Sequence, residues 1–136
     1  WQAYDSFGTL LEVTGDFSEA RRMFELAVHN AGHTQKPKAG LARVLARAHK
    51  MTEARKLLAE LRADAAATGI RHPAVAAALY VAGDSAGAFE WLEGAYRQRH
   101  PELMRIAADR AYDALQGDPR FQELVRRVGL PPHSPG

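Results

Sequence analysis

Histidines are the first residues in this chain whose type could carry chemistry: His29, His33, His49, His72, His100 and His133. His29 and His33 are four apart, the spacing at which two imidazoles on one helix face can share a metal ion. Gly32 stands between them where a helix is expected to stop, and no nearby carboxylate completes a ligand set. They are expected to be surface residues at a helix end, with no metal bound. Carboxylate pairs such as Glu90 and Glu93 lie among polar residues on an expected helix, the pattern of a solvated face. The chain has no G-x-x-x-x-G-K-[ST], G-x-G-x-x-G or G-x-S-x-G motif and no H-E-x-x-H. It has no cysteine, which removes disulfides, thiolate metal sites and a Cys nucleophile. The expectation is a chain that is not an enzyme and uses no cofactor.

Charge offers a different kind of candidate. The net charge is only +2, but it is unevenly spread. Residues 1–34 carry 2 basic and 5 acidic groups, and residues 35–68 carry 8 and 3. Within that basic quarter Lys36, Arg43 and Arg47 recur at i, i+7 and i+11, one stripe of a helix. Such a stripe suits an acidic partner. Nucleic acid is disfavoured, because the acidic first quarter denies it a continuous basic surface.

The elements that must position these residues are helices. Apolar residues make up 46% and charged residues 25%, ordinary for a folded chain, and Ile occurs only at Ile70 and Ile106. No apolar run approaches the roughly 18 residues that would span a membrane. The chain opens at Trp1 without an initiating Met, which suggests a fragment or a processed product. The expected compartment is the cytoplasm, in a fragment without a targeting signal.

Three segments align without gaps at a period of 34: residues 1–34, 35–68 and 69–102. The first has Tyr4, Phe7, Gly8 and Leu11, then Ala20, Phe24 and Ala27. The second has Lys38, Leu41, Ala42 and Leu45, then Ala54, Leu58 and Leu61. The third has His72, Val75, Ala76 and Leu79, then Ala88, Leu92 and Ala95. The i, i+3, i+4, i+7 spacing gives each unit two helices with facing apolar stripes. Small residues at the eighth and twentieth positions let the two helices approach. Ser18, Thr52 and Ser85 or Asp84 are expected to cap the second helices, and Gly32 and Gly69 to end them. Pro37 and Pro73 fall at the starts of first helices. After residue 102 the pattern breaks. Leu103 to Ile106 is expected to continue a helix begun at Pro101-Glu102, with a short turn at Asp113-Ala114-Leu115. Asp118-Pro119 then starts a helix with Phe121, Leu124, Val125 and Val128 on its apolar face. Residues 103–130 are expected to cap the stack. The tail at 131–136 is expected to be mobile.

The spacing within each unit resembles the tetratricopeptide pattern W-x2-L-G-x2-Y followed by A-x3-F. The run Ala82-Gly83-Asp84, Ala88 to Glu93, Ala95-Tyr96 and Leu115 to Leu130 is similar to the C-terminal tetratricopeptide ending of bacterial signalling proteins, behind winged-helix regulators, adenylate cyclases and serine/threonine kinases. It departs from that ending at Gln116-Gly117 and over residues 107–112. The resemblance implies an all-α, right-handed solenoid of three helix pairs plus a capping helix. It also implies a concave groove lined by the first helices, at about positions 2, 5, 9, 12 and 13 of each unit. Peptide-contacting residues would then be Asp5, Thr9 and Glu12, with Lys36, Arg43 and Arg47 from the second unit and Ala77 and Tyr80 from the third. The Lys and Asn of the family's carboxylate clamp are missing, which disfavours a chaperone-tail receptor. The implied function is a protein–protein interaction module, part of a larger regulatory protein, with a protein or peptide partner. Ion pairs between units, Glu12 with Arg43 or Arg47, are the other reading of the same stripe. Self-association as a homo-oligomer, through Trp1 and the open edge of the first helix, is the alternative function.

Overall fold

Small residues recur where the helices come closest. Gly8, Ala20, Ala42, Ala54, Ala76 and Ala88 are all buried. The computed structural model describes residues 1–129, and every regular element among them is helical. The expected mobile tail at 131–136 lies outside the described residues. Helices α1 (Gln2–Val13) and α2 (Phe17–Ala31) form the first pair, α3 (Gln35–Arg47) and α4 (Met51–Thr68) the second, α5 (Pro73–Val81) and α6 (Ser85–Arg97) the third. Two 3-10 turns, Pro101–Met104 and Arg110–Leu115, precede α7 (Pro119–Gly129). None of the described helices is long and apolar enough to cross a membrane.

The caps of α2 and α4 lie two residues before those expected, and that of α6 is one of the two expected. Asp16, not Ser18, caps α2, its carboxylate accepting the Glu19 N–H at 3.2 Å. Lys50 holds the cap position of α4, and Thr52 lies inside that helix. Asp84 caps α6, accepting the Gly87 N–H at 2.8 Å. In the first and third pairs the shared signal is an aspartate after Gly15 or Gly83, and a carboxylate accepts the free N–H groups of a first turn well. Gly69 ends α4 in the left-handed conformation, with φ 76° and ψ 2°, whereas Gly32 ends α2 with φ 67° but ψ −120°, outside the left-handed cap expected there. Pro73 opens α5 at its first turn, where His72 Nδ1 accepts the Ala74 N–H at 3.0 Å.

Each helix packs on its neighbours in chain order, and α3 also packs on both α1 and α5. Phe24 of α2 is the wedge of the first half. Its ring lies over two helical glycines, and a Cβ on Gly8 or Gly40 would fall 3.1 or 2.5 Å from it. Helix α5 is buried from Pro73 through Leu79, which explains its almost wholly apolar sequence. It is enclosed by α3, α6 and the second 3-10 turn.

The segment after residue 102 divides in two. The helix expected through Ile106 is a single 3-10 turn that stops at Met104. Asp109 then starts a second turn by accepting the Ala111 N–H at 2.9 Å. Leu103, Ile106, Ala111, Tyr112 and Leu115 are all buried, and the turn carrying Tyr112 packs on α5 and α1. Helix α7 goes the other way, onto α6 and the first 3-10 turn, with Phe121 and Leu124 buried. Asp118 starts it, accepting the Arg120 N–H at 2.9 Å.

Candidate functional site

The face shared by α1, α3 and α5 gathers the charged residues singled out from the sequence. Positions 5, 9 and 12 of the first unit and positions 2, 9 and 13 of the second supply them. Glu12 is buried and takes four contacts from two arginines of α3. Arg43 Nε donates to both carboxylate oxygens at 2.9 Å, Arg43 Nη2 lies 2.7 Å from Oε1, and Arg47 Nε donates to Oε2 at 2.5 Å. Arg43 is 2% exposed, and its guanidinium also lies over the Phe24 ring, 5.5 Å from the centroid. Burial opposes the charge on Arg43, but the Glu12 carboxylate outweighs it and holds the group above its usual value. Thr9 is buried and donates to the Asp5 carbonyl at 3.0 Å. Burial raises the Asp5 carboxyl, although Lys36 and Arg43 pull the other way.

Lys36 faces the segment that follows α6. Its Nζ lies 3.0 Å from Glu102 Oε2 and 3.2 Å from Asp109 Oδ2. The two carboxylates hold the ammonium above its usual range against the effect of burial. Tyr112, three residues after Asp109, is fully buried, and its hydroxyl makes no hydrogen bond among the described residues. Burial drives that phenol well above its usual value. Ala77 is fully buried in the same core as Tyr112. Tyr80 stands apart: its hydroxyl donates to Asp118 Oδ2 at 3.1 Å, and its ring meets Phe89 edge-on at 6.0 Å. The Arg120 side chain, the Arg120 N–H and the Tyr80 hydroxyl together hold Asp118 at about 2.

The phase thus brings together Asp5, Thr9, Glu12, Lys36, Arg43 and Arg47, with Ala77 beneath them. It does not bring Tyr80 to that group, because Tyr80 serves the start of α7. Residues 102–112 lie against part of the groove expected at these positions, at Lys36, α1 and α5, and leave Arg47 about one-third exposed.

No family model, curated protein or solved structure matches this chain.

Several residues that matter here gave no signal at the start. Gln35 is buried and clamps the α4–α5 link, donating to Asp64 at 2.9 Å and to the Ile70 carbonyl at 3.1 Å and accepting the His72 N–H at 3.0 Å. Trp91 donates to the His72 carbonyl at 2.9 Å. His72 packs edge-on against His100 at 4.8 Å. Burial first, then His100 and Lys36, lowers His72 to about 3, so it is a neutral acceptor for the start of α5. The acidic spacing Glu102, Asp109, Asp113 with Tyr112 between is the one signal that could have been found, as a complement to the basic stripe. His29 lies in the last turn of α2 and His33 beyond its end, both exposed. Among the described residues no group of three or more His, Asp or Glu side chains is placed to hold a metal ion.

Proposed function

We propose that the chain is a tetratricopeptide-like solenoid that acts as a protein–protein interaction module, the sensory or scaffolding part of a larger bacterial signalling or regulatory protein. The in-phase small residues at positions 8 and 20 of each unit support the architecture. The likeness of residues 75–130 to the ending of such regulators supports the setting. The observation that carries the binding reading is the grip on residues 102–112. Lys36 holds two carboxylates seven residues apart, and the aromatic ring three residues after the second is wholly buried, in a turn that packs on α1 and α5. A surface that holds its own acidic, aromatic segment in this way can hold a partner segment of the same chemistry, by displacement.

The experiment uses a labelled synthetic peptide of residues 100–117, added to a full-length chain carrying Tyr112→Ala, which loosens the internal segment. Saturable binding is expected, weakened about tenfold or more by a further Lys36→Ala, the loss of one charge-assisted contact. Absence of saturable binding to the Tyr112→Ala chain would end the groove reading.

A further inference from the structure

Asp5 is a carboxylate shut away without a partner. Only 6% of its surface is exposed. The Thr9 hydroxyl beside it donates to its backbone carbonyl, and its carboxylate takes no hydrogen bond or ion pair among the described residues. A charge held out of water in this way is costly unless a partner completes it.

The charges around Asp5 are already matched to one another. Lys36 lies between Glu102 and Asp109, Arg110 is paired with Asp113, and Arg43 and Arg47 share Glu12. Asp109 has no idle oxygen, because Oδ1 accepts the Ala111 N–H and Oδ2 faces Lys36. Four cations thus stand among five carboxylates, and the carboxylate left over is Asp5.

Asp5 borders a cavity of about 200 Å³, bounded by α1 on one side and by Lys36, Asp109 and Arg110 on the other. Helix α1 gives this cavity two kinds of wall. Asp5, Ser6 and Thr9 supply acceptor oxygens, and Thr9 has already given its hydroxyl proton to the Asp5 carbonyl, so toward a ligand it can only accept. Leu10 and Val13, exposed by 56 and 39%, supply an apolar wall one turn further along. The volume is below the roughly 300–1,000 Å³ of a site for a drug-sized molecule and suits one narrow group. Acceptors beside an apolar wall call for a cation on an apolar stem. An ammonium spreads three N–H donors in space, one for each of three separate acceptors, whereas the planar guanidinium fork matches paired acceptors.

We propose that this cavity is a binding site for a primary ammonium on an unbranched aliphatic stem, with the ammonium on Asp5, Ser6 and Thr9 and the stem along Leu10 and Val13. A partner's lysine side chain and a free alkylamine share this chemistry. The site goes beyond the groove reading. An acidic peptide needs residues 102–112 displaced, whereas the ammonium needs them in place, since Asp109 and Arg110 wall the cavity. The two fail separately, one in the Tyr112→Ala chain and the other in the parent.

The test is an NMR titration of the full parent chain with n-butylammonium chloride to about 50 mM, against sodium chloride at equal ionic strength. Saturable shifts of the Asp5, Ser6 and Thr9 amides are expected with butylammonium and not with sodium. Each methylene buried is worth about fourfold, so methylammonium is expected to bind at least about tenfold more weakly. Asp5→Asn is expected to abolish saturation and to leave the thermal midpoint unchanged or higher, because it removes a buried charge that has no partner. Nα-acetyl-lysine N-methylamide decides the source. Binding as tight as that of butylammonium assigns a partner's lysine, and binding at least about tenfold weaker assigns a free amine. Shifts no different from those with sodium would overturn the proposal. So would methylammonium binding as tightly as butylammonium, or undiminished binding by Asp5→Asn. An Asp5→Asn chain that melts well below the parent would also overturn it, by making Asp5 a structural charge.

Discussion

Arg43 is the largest fully buried side chain among the described residues, and its charge decides how the first two pairs are joined. An ion taken out of water costs several kcal/mol unless its partner is close and well directed. Glu12 meets that condition through Arg43 Nε, which donates to both of its oxygens at 2.9 Å, and is itself buried, whereas Arg43 Nη2, 2.7 Å from Oε1, makes no hydrogen bond among the described residues. Arg47, about one-third exposed, adds a second donor to the same carboxylate and is better hydrated, so it contributes less. The pair is therefore a fastening between α1 and α3 that is costly to break and of small net value to keep. Glu12→Gln is expected to destabilise the chain by about 3–5 kcal/mol, because it strands the guanidinium. Replacing both partners, Glu12→Leu with Arg43→Met, is expected to recover most of that loss. Urea unfolding midpoints of the two variants check the pair. A Glu12→Gln chain as stable as the parent would show that the buried charge is compensated by something other than Glu12.

At the scale of elements the helix pairs were legible because their signal is periodic. Apolar spacing, small residues at closest approach and turn residues all repeat every 34 positions, so errors at one unit are corrected by the others. What was not legible lacks that redundancy. Gly40 looked like an ordinary helical residue, yet it is the floor under the Phe24 ring. The cap of α2 was missed because Asp16 and Ser18 are both good caps, and only the geometry of the turn selects between them. The 3-10 turns have no period at all; they are set by Asp109 and by where Tyr112 can be buried. Gly40 offers a sharp test of packing against propensity. Alanine in a helix interior is worth about 1 kcal/mol over glycine. Its Cβ would sit 2.5 Å from a ring that is itself fully buried, and overpacking costs about 1–3 kcal/mol. Gly40→Ala is expected to lower the thermal midpoint, and Phe24→Leu added to it to restore part of the loss. If Gly40→Ala raised the midpoint, the wedge would have room to move and the two helices would not be set by it.

On the scale of the whole molecule the turn at Arg110–Leu115 changes what kind of object this is. A stack of helix pairs in which each touches only its neighbours has stability that sums over nearest contacts, and its ends open independently of its middle. Here the second 3-10 turn packs on α5 and reaches back to α1, two units earlier in the chain. Lys36 of the middle unit is tied to Glu102 and Asp109 at the same place. The first and last pairs are thereby joined through a third body, which lies against part of the expected groove. Tyr112 is the keystone by burial, not by hydrogen bonding, since its hydroxyl has no partner among the described residues. Native-state hydrogen exchange can separate these contributions. In the parent chain the protected amides of α1, α3 and α5 are expected to exchange through one shared opening with a common free energy. Tyr112→Phe keeps the ring and removes a buried unpaired hydroxyl, so it is expected to leave that common value unchanged or raise it by about 1–3 kcal/mol. Tyr112→Ala is expected to cost about 3–5 kcal/mol of aromatic burial and to split the set, with α1 exchanging at a lower free energy than α5. If α1 and α5 stayed coupled in Tyr112→Ala, the link between the ends would run through α3 alone, and the turn would be a passenger on the stack.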